Sequence, residues 1–357
     1  MERELQRTPL EEDHRSLGAS MGEFGGWLMP IEFEGVLKEH AAVRERVGVF
    51  DLTHLGKVDV LGPGARDHLL RIVTNDLSKV GVGQAQYNLV LTDEAGIVDD
   101  LIVYRRGEED WLVVPNAGNT QRVLEILRSG AGDDVEVRHR PDLVTLAVQG
   151  PGAIDLVRPL IPEVDGLGFM EAAVSGEVLV ARSGYTGEPG VELFVSQETA
   201  PDLWREVIGA GAAPIGLGAR DTLRLEMGYP LHGNDISEDR TPLEAGLSWA
   251  VTMEKGPFTG REALVRQKEE GGPSVRLRGL RMLGRRIPRS HFPVSRDGRP
   301  VGETTSGTFS PTLRIGIAMA YLDRDVELGE TVEVDVRGRP ADAEVVRPPF
   351  VDRSPKA

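Results

Sequence analysis

The stretch Gly96-Ile-Val-Asp-Asp-Leu-Ile-Val-Tyr104 is the most informative part of this 357-residue chain. Apolar residues flank its two acids on both sides, a pattern that predicts a β-strand buried on both faces. Because successive side chains of a strand alternate between its faces, we expect Asp99 and Asp100 to point in opposite directions. A buried carboxylate is costly unless it meets a cation or hydrogen-bond donors. Either one acid faces a ligand cavity while the other caps a turn or pairs with an arginine, or both are satisfied internally.

Short β-rich runs flank this strand on either side, among them residues 86–92 and 111–115. They alternate with stretches of helical periodicity, which are clearest in residues 38–47, 64–74, 119–127, 200–208 and 218–227. After about residue 274 the periodicity disappears, and short strand-like pieces are separated by Gly, Pro and Asp turns. The pattern predicts an α+β body followed by a compact all-β C-terminal domain.

Composition excludes several classes of protein. The chain has 41 Lys and Arg against 57 Asp and Glu, a net charge of −16, so it repels a phosphate backbone and we expect no nucleic-acid partner. No apolar run approaches the ~20 residues that cross a bilayer, and we expect no membrane partner. The N-terminal segment 1–7 mixes acids and bases, unlike a secretory or transit peptide, which favours a cytoplasmic location.

Motifs for metal binding and nucleotide hydrolysis are missing. Cysteine is absent and the seven histidines have no metal-ligand spacing, so we expect no metal. Neither a GxSxG elbow nor a phosphate-binding GxxxxGK[ST] loop occurs. We therefore expect neither serine-hydrolase chemistry of the elbow type nor that of a P-loop ATPase.

Two further residues are typical of ligand contacts. Glu192 lies in an apolar strand that follows the turn residues Gly187, Pro189 and Gly190. There it suits a ligand with two adjacent N–H donors, such as an aminopyrimidinone ring; an internal salt bridge is the alternative. Arg220 falls in the first turn of a helix that glycines open, a place for a carboxylate anchor. Eight arginines between Arg276 and Arg299 form a basic strip that is either solvated or faces an anionic ligand tail or acidic protein.

Across nearly its whole length the chain resembles the aminomethyltransferase family, the T-proteins of the glycine cleavage system. The resemblance rests on eight segments in register rather than on one motif. They are Gly26–Pro30, Phe50–His54, Gly96–Tyr104, Val148–Pro151, Gly184–Glu188, Gly216–Glu226, Phe258–Leu264 and Thr305–Leu313.

This resemblance implies a three-lobed cloverleaf around a central cavity that holds tetrahydrofolate. Two α+β lobes would comprise residues 1–55 with 145–235 and residues 56–144 with 236–274, and a barrel-like β-domain would comprise residues 275–357. The implied reaction takes an aminomethyl group from the lipoyl arm of H-protein, the expected partner, and yields ammonia and methylene-tetrahydrofolate. Tetrahydrofolate is thus the expected co-substrate.

The resemblance also assigns roles to particular residues. The first acid of the pair, Asp99, matches the family's catalytic aspartate. A carboxylate in a water-poor pocket can hold a folate nitrogen in line and stabilise the cation that forms as the carbon–sulfur bond breaks. The implied folate contacts are Tyr87, Asn116, Tyr185, Glu192, Arg220 and Tyr229.

Two other functions remain as alternatives, and three residues differ from those common in the family. A folate-binding protein of iron–sulfur assembly would carry Lys-Gly-Cys-Tyr, whereas this chain has Lys255-Gly-Pro-Phe258 without the cysteine. A folate-dependent demethylase of a small methylated substrate would share the fold and differ in its pocket. Relatives often have Met where this chain has Leu55, and Tyr at the positions of Phe33 and His232, which concerns pocket contacts rather than the chemistry.

Overall fold

The computed structural model describes residues 4–356 of the chain. The sequence prediction about residues 1–7, that they do not resemble a secretory or transit peptide, concerns residues that lie partly outside this range. The strands form a small N-terminal sheet, a six-stranded sheet, a five-stranded sheet and a closed barrel.

The strands follow one another along the whole chain. In chain order they are β1 (Gln6–Arg7), β2 (Ser20–Phe24), β3 (Trp27–Glu32), β4 (Gly48–Asp51), β5 (Val58–Leu61), β6 (Gln84–Leu91), β7 (Ile97–Gly107), β8 (Asp110–Val114), β9 (Glu136–His139), β10 (Leu143–Gln149), β11 (Ala172–Ser175), β12 (Val178–Ala181), β13 (Gly190–Ser196), β14 (Ala213–Ile215), β15 (Val275–Met282), β16 (Pro293–Arg296), β17 (Arg299–Ser310), β18 (Ile315–Asp323), β19 (Thr331–Asp335) and β20 (Pro340–Val346).

The α-helices all precede the barrel. They are α1 (Glu11–Ser16), α2 (Val36–Glu45), α3 (Ala65–Ile72), α4 (Thr120–Arg128), α5 (Ala153–Val157), α6 (Ala200–Gly209), α7 (Leu217–Glu226) and α8 (Arg261–Glu269). The five stretches with the clearest helical periodicity correspond to α2, α3, α4, α6 and α7, because in each an apolar stripe is buried against a sheet.

The six-stranded sheet has the order β11-β12-β13-β10-β4-β14. Its strands are rich in Val and Leu and are covered by helices, with Trp204 of α6 buried on one side. Helices α2 and α7 pack together, and Ala219 and Leu223 of α7 share a core with Phe50 of β4. The arrangement fixes α7, which carries Arg220, relative to β13, which carries Glu192.

The five-stranded sheet has the order β6-β7-β8-β5-β9, so the acid-bearing strand β7 is paired on both edges. Val98, Leu101 and Val103 of β7 are buried among α3 and α4 residues. The predicted strand within the Gly96–Tyr104 stretch is confirmed, because only such an apolar sequence can be covered by neighbours on both faces.

The C-terminal strands close into a barrel of order β15-β18-β17-β16-β19-β20. Its interior is filled by alternating apolar residues, among them Leu280, Val294, Ala320 and Val345. Closure leaves no free sheet edge, which suits a short all-β domain. The predicted all-β C-terminal domain is confirmed, and so is the α+β multi-lobed fold class.

Helix α7 is joined to α2 by buried ion pairs and to the barrel by hydrogen bonds that hydroxyl groups donate to the same carboxylate. At its C-terminal end, Glu226 accepts hydrogen bonds from Arg44 and His40 of α2 and from Ser310 and Thr312 at the end of β17; these five residues are the Glu226 cluster. All of its charged members are buried. The cluster fastens three parts of the chain at one point.

A second ion pair lies one half-turn earlier on α7. Arg224 donates to Asp235 at 2.6 Å, and Ser306 of β17 also bonds to the same carboxylate. The sequence predicts a solvated or ion-paired face for Arg224 and Glu226; the ion pairs are present, but both residues are buried because their partners come from other elements. The domain bounds 1–55 with 145–235, 56–144 with 236–274 and 275–357 stay a prediction.

Candidate active site

Asp99 and Asp100 meet at one amide group. Strand β7 pairs Asp99 with Val90 but Ile97 with Leu91, so Val98 is an extra residue and forms a β-bulge. The Nδ2 group of Asn116 donates to one carboxylate oxygen of each aspartate, both at 2.9 Å. The expectation of opposite directions is therefore wrong, because a bulge twists the strand and turns neighbouring side chains toward each other.

Asp99 is enclosed by the protein and has no exposed surface. Its carboxylate accepts hydrogen bonds from the Asn116 backbone N–H at 3.0 Å, from the Asn116 amide and from the Asn119 amide at 2.7 Å. Those two asparagines begin and end the turn that follows β8. Asp99 is thus the acid that holds a turn, one of the roles expected for the buried member of the pair.

Asp100 is only half-buried. It accepts a hydrogen bond from the Tyr87 hydroxyl at 3.0 Å in addition to the one from Asn116. Within residues 4–356 no arginine contacts either aspartate, so of the two roles considered for the second acid, a turn cap or an arginine pair, the arginine pair is absent from the described part of the chain. Of the two carboxylates, Asp100 is the one that a ligand can reach.

The Asp99–Asp100 pair holds its protons more tightly than free aspartates. Burial and the neighbouring charge of Asp100 raise the pKa of Asp99 to about 8, although Asn119 and Asn116 act in the opposite direction. Burial also raises the pKa of Asp100, while His232 and Tyr87 offset part of this effect. Because no cation compensates the two acids directly, their ionisation responds to any positive charge placed beside them.

Two stacked aromatic pairs lie near the aspartates. The Tyr87 ring stacks on Trp249 at 5.1 Å, and the Tyr185 ring stacks on Tyr229 at 5.6 Å. The Arg220 guanidinium lies over the Tyr185 ring, 4.5 Å from its centroid. These flat surfaces suit a planar heterocycle.

The charges show that these groups share one region. Burial raises the pKa of the Tyr185 phenol, and the charges of Asp100 and Arg220 both act on it. Burial lowers the pKa of Arg220, while Tyr185 and Glu192 raise it. Electrostatic influence at this strength links the residues of β7, β13 and α7 across a single site.

Glu192 is held by hydroxyl groups rather than by a cation. Its Oε2 atom accepts hydrogen bonds from Ser183 at 2.6 Å and from Tyr104 at 3.1 Å. In the described residues no partner donates to Oε1 and no salt bridge forms, so the internal salt bridge considered from the sequence is absent there. An oriented carboxylate with one unused oxygen is suited to accept N–H donors from a ligand.

Arg220 likewise keeps its donors unused. It lies in the fourth position of α7, and no side chain or carbonyl within residues 4–356 accepts a hydrogen bond from its guanidinium. The sequence predicts Arg220 near a helix start, and the structure adds that only a ring face contacts it. Its donors are available to an anionic ligand.

Several residues of the site were not predicted from the sequence. Asn119 and Tyr104 contact the predicted acids, and His232 acts on Asp100 through its charge while its Nε2 bonds to the Ile97 carbonyl at 3.0 Å. Trp249 is a largely exposed ring, although the sequence favours a packing role for it. Their common signal is proximity to β7, which only the folded chain reveals.

The described residues contain neither a cluster of potential metal ligands nor a helix that could span a membrane. Within residues 4–356 no group of three or more His, Asp or Glu side chains is arranged to hold a metal ion. In the same range, helices with the length and apolar character needed to cross a bilayer do not occur.

Family models match most of the chain. The model described as the GCVT N-terminal domain matches residues 10–255, and the model described as the glycine cleavage T-protein C-terminal barrel domain matches residues 276–352. The second match covers the closed barrel.

Relatives of similar length have sequences that are about half identical to this chain. A protein of Frankia alni named aminomethyltransferase is 52% identical over 364 residues, covering 99% of this chain and 100% of the relative. An aminomethyltransferase of Mycobacterium bovis is 48% identical, covering 98% of this chain and 97% of the relative. The crystal structure of a glycine cleavage system aminomethyltransferase T from Bartonella henselae matches with a TM-score of 0.93 at 36% identity, covering 98% of this chain and 99% of that one.

Proposed function

The chain belongs to the glycine cleavage T-protein family and is an aminomethyltransferase, and on this premise we propose how its own residues carry the transfer. The methylene carbon of an aminomethyl group on the lipoyl arm of H-protein passes to tetrahydrofolate, and ammonia is released. The cytoplasmic location stays a prediction.

The carboxylate that meets the reacting atoms is Asp100. The resemblance gives this role to Asp99, but Asp99 has no exposed surface and faces three N–H donors. Asp100 is partly exposed, is uncompensated by any arginine in the described chain and lies beside the stacked rings. This difference in exposure is the observation that carries the proposal. Asp99 acts as a positioning residue through Asn116.

Asp100 serves mainly as a preformed negative charge. As the carbon–sulfur bond breaks, positive charge develops on the aminomethyl group, and a fixed carboxylate in a low-dielectric site stabilises it without reorganisation of water. The hydrogen bonds from Tyr87 and Asn116 hold that carboxylate in place. Burial also raises the pKa of Asp100, which makes this carboxylate a better proton acceptor than a free aspartate.

Glu192 and Arg220 bind the two ends of the folate. The unused Oε1 of Glu192 accepts paired N–H donors of the pterin, and the Tyr87 and Tyr185 rings lie against flat parts of the molecule. Arg220 has free donors that suit a carboxylate of the glutamate tail. Neither the demethylase nor the iron–sulfur assembly alternative gains support from a particular contact in the structure.

An assay with the two substrates tests the catalytic assignment. We expect Asp100→Asn to lower the formation of ammonia and methylene-tetrahydrofolate from aminomethylated H-protein by about 100-fold or more. Its tetrahydrofolate affinity should change by no more than about threefold, because Glu192 and Arg220 remain. The melting temperature should not fall, since the Tyr87 hydroxyl can accept a hydrogen bond from an amide as readily as it donates to a carboxylate, and the variant removes one charge of an uncompensated pair.

Asp99→Asn is the matched comparison. Its new amide N–H would face a backbone N–H of Asn116, so we expect a clear loss of stability, about 1–3 kcal/mol, together with any loss of turnover. A fully stable Asp99→Asn enzyme without turnover, beside an active Asp100→Asn enzyme, would return the catalytic role to Asp99.

A separate measurement tests the folate contact of Glu192. We expect Glu192→Gln to weaken tetrahydrofolate binding about 10-fold, because an amide accepts only through its oxygen and repels a second donor. The affinity is measured by adding tetrahydrofolate to the protein and following the quenching of its tryptophan fluorescence at equilibrium. Unchanged affinity would rule out the pterin assignment while leaving that of Asp100 intact.

A further inference from the structure

A second cavity, of about 850 Å³, lies outside the candidate active site. Trp27 and two neighbouring glycines form one wall, the loop that follows β4 forms another, and the turn Ala117–Gly118 forms a third. His54, Lys57 and His139 also line it. We call this cavity the His54 pocket.

His54 is a buried side chain without a partner. It is 2% exposed, and neither of its ring nitrogens makes a hydrogen bond, although its ring lines the pocket. Its ring packs against the Phe24 ring in a T-shaped arrangement, with 5.3 Å between the two ring centroids. A buried imidazole normally bonds through at least one nitrogen, so the free N–H and the free lone pair of His54 indicate a partner that is external to the chain.

Lys57 is a buried cation beside His54. Its Nζ donates to the Thr53 carbonyl at 2.9 Å, and within residues 4–356 no carboxylate lies in salt-bridge range of it. Arg140, on the same pocket, is instead neutralised by Asp59 at 2.8 Å and Asp142 at 2.7 Å. Lys57 is therefore the pocket group with unused N–H donors and an unpaired positive charge.

Asp51, the acid with the largest electrostatic effect on Lys57, already accepts hydrogen bonds from other side chains. Burial lowers the pKa of Lys57 to about 8, and the charges of Asp51 and Asp142 offset part of this effect. Asp51, however, accepts hydrogen bonds from His14, Thr8 and Thr53. A bound anion would supply the counter-charge that Asp51 does not provide by contact.

The pocket shares a wall with the candidate active site. Asn116, which joins the two aspartates, is followed directly by the pocket residues Ala117 and Gly118. On another side, the charge of Arg220 acts on His54, whose pKa burial and that charge lower to about 3. A group bound in the pocket thus lies near the residues that bind folate.

We propose that the His54 pocket is a binding site for an anionic group, a carboxylate or a phosphate, held by the ammonium of Lys57 and a ring N–H of His54. The anion has two possible sources. It is either a separate small molecule or the outer carboxylates of a polyglutamate chain whose folate occupies the active site, and only the second source rests on the proposed function.

Titration calorimetry with inorganic phosphate and with a γ-linked triglutamate peptide tests the site without folate. We expect at least one probe to bind the wild-type protein and Lys57→Met to weaken that binding at least 10-fold. Lys38→Met, which removes the same charge from an exposed side chain, should leave the affinity unchanged. Phosphate or peptide should also shift the nitrogen resonances of the His54 ring.

Gly118→Leu provides a second variant that does not alter charge. A Cβ atom added at Gly118 would meet no atom within 4 Å, and Gly118 lies on the pocket lining, so we expect a leucine there to extend into the cavity. We expect it to abolish binding of the probe while the melting temperature stays near that of the wild type. This variant keeps the test valid if Lys57→Met does not fold.

The outcomes separate the two sources. If Lys57→Met and Gly118→Leu weaken triglutamyl-tetrahydrofolate but leave monoglutamyl-tetrahydrofolate unchanged, the pocket holds the folate chain. If they weaken phosphate alone, it holds a separate anion. The proposal is overturned if the wild type binds neither phosphate nor the peptide, or if binding is insensitive to both folded variants. None of these results depends on turnover, so they also stand if the transferase mechanism fails.

Discussion

The Asp99–Asp100 pair and the Glu226 cluster are both buried carboxylate groups, yet they have opposite electrostatics. Glu226 faces Arg44 and His40, and these contacts hold the pKa of Glu226 at about 2 against the effect of burial. The aspartates face amides and a hydroxyl, and their pKa values are raised. One cluster contains its own counter-charges, whereas the other awaits a positive charge from outside.

The difference separates a structural role from a chemical one. A compensated cluster gains nothing from a ligand and joins α2, α7 and the barrel. An uncompensated pair costs folding free energy in the free enzyme, and that cost is relieved when positive charge develops next to it. The following predictions test whether this distinction holds.

Removing the central acid of the compensated cluster should have the largest effect. We expect Glu226→Ala to lower the free energy of unfolding by ~3–5 kcal/mol, because Arg44 is left buried without one of its counter-charges. Urea unfolding at pH 7 measures the loss. Glu206→Ala, which removes an exposed helical acid, is the control and should change stability by no more than ~0.5 kcal/mol. Comparable losses in both variants would contradict a structural role for the cluster.

The two clusters should respond to pH in opposite directions. Glu226 has a lowered pKa in the folded state, so its stabilising contribution is present above the unfolded value of about 4.5 and is lost as the pH falls toward about 2. Asp99 has a raised pKa, so the folded protein retains a proton that the unfolded chain releases, and stability falls as the pH rises from about 4 to about 8.

Variants assign the two limbs of this profile. The retained proton gives a slope of about 1.4 kcal/mol per pH unit at most. We expect Asp100→Asn to shorten the limb between pH 5 and 8 without abolishing it, because the variant removes the neighbouring charge while burial, the larger cause, still raises the pKa of Asp99. We expect Glu226→Gln to flatten the acid limb. Denaturant unfolding from pH 3 to 9 measures both. An unaltered neutral limb in Asp100→Asn would show that the two aspartates do not interact.

A smaller effect is expected from the hydroxyl that holds Asp100. Tyr87→Phe removes a hydrogen bond that lowers the pKa of Asp100 but keeps the ring that stacks on Trp249. We expect the acid limb of the kcat profile to move to higher pH by roughly half a unit, with a loss of a few-fold at pH 7. A uniform drop at every pH would instead indicate lost positioning.

The fold was largely predictable from the sequence, because periodicity is a local property. Residues 200–208 predict a helix, and the helix runs from Ala200 to Gly209. The loss of helical periodicity after residue 274 likewise predicts the β-domain that closes as a barrel. In such segments the spacing of neighbouring apolar residues shows which face is buried, so the secondary structure can be predicted with little information from distant parts of the chain.

The site was less predictable, because its geometry depends on distant contacts. Alternation alone separates Asp99 from Asp100, whereas the bulge at Val98 brings both to Asn116. The spacing of the histidines predicts only that they bind no metal, and it does not reveal that His54 is buried without a hydrogen-bond partner among the described residues. These features follow from how sheets, turns and the N-terminal segment pack together, which no local pattern records.

The attachment of α7 to the barrel has a consequence for how the protein is made. A nascent chain that has emerged to about residue 270 already contains every side chain of the active site. It still lacks Ser306, Ser310 and Thr312, and at ~5–20 residues per second they follow several seconds later. Until then Arg224 and Glu226 lack some of their hydrogen-bond partners. A ribosome stalled in this interval would therefore carry a chain that contains all the active-site residues but cannot yet form the contacts between α7 and the barrel.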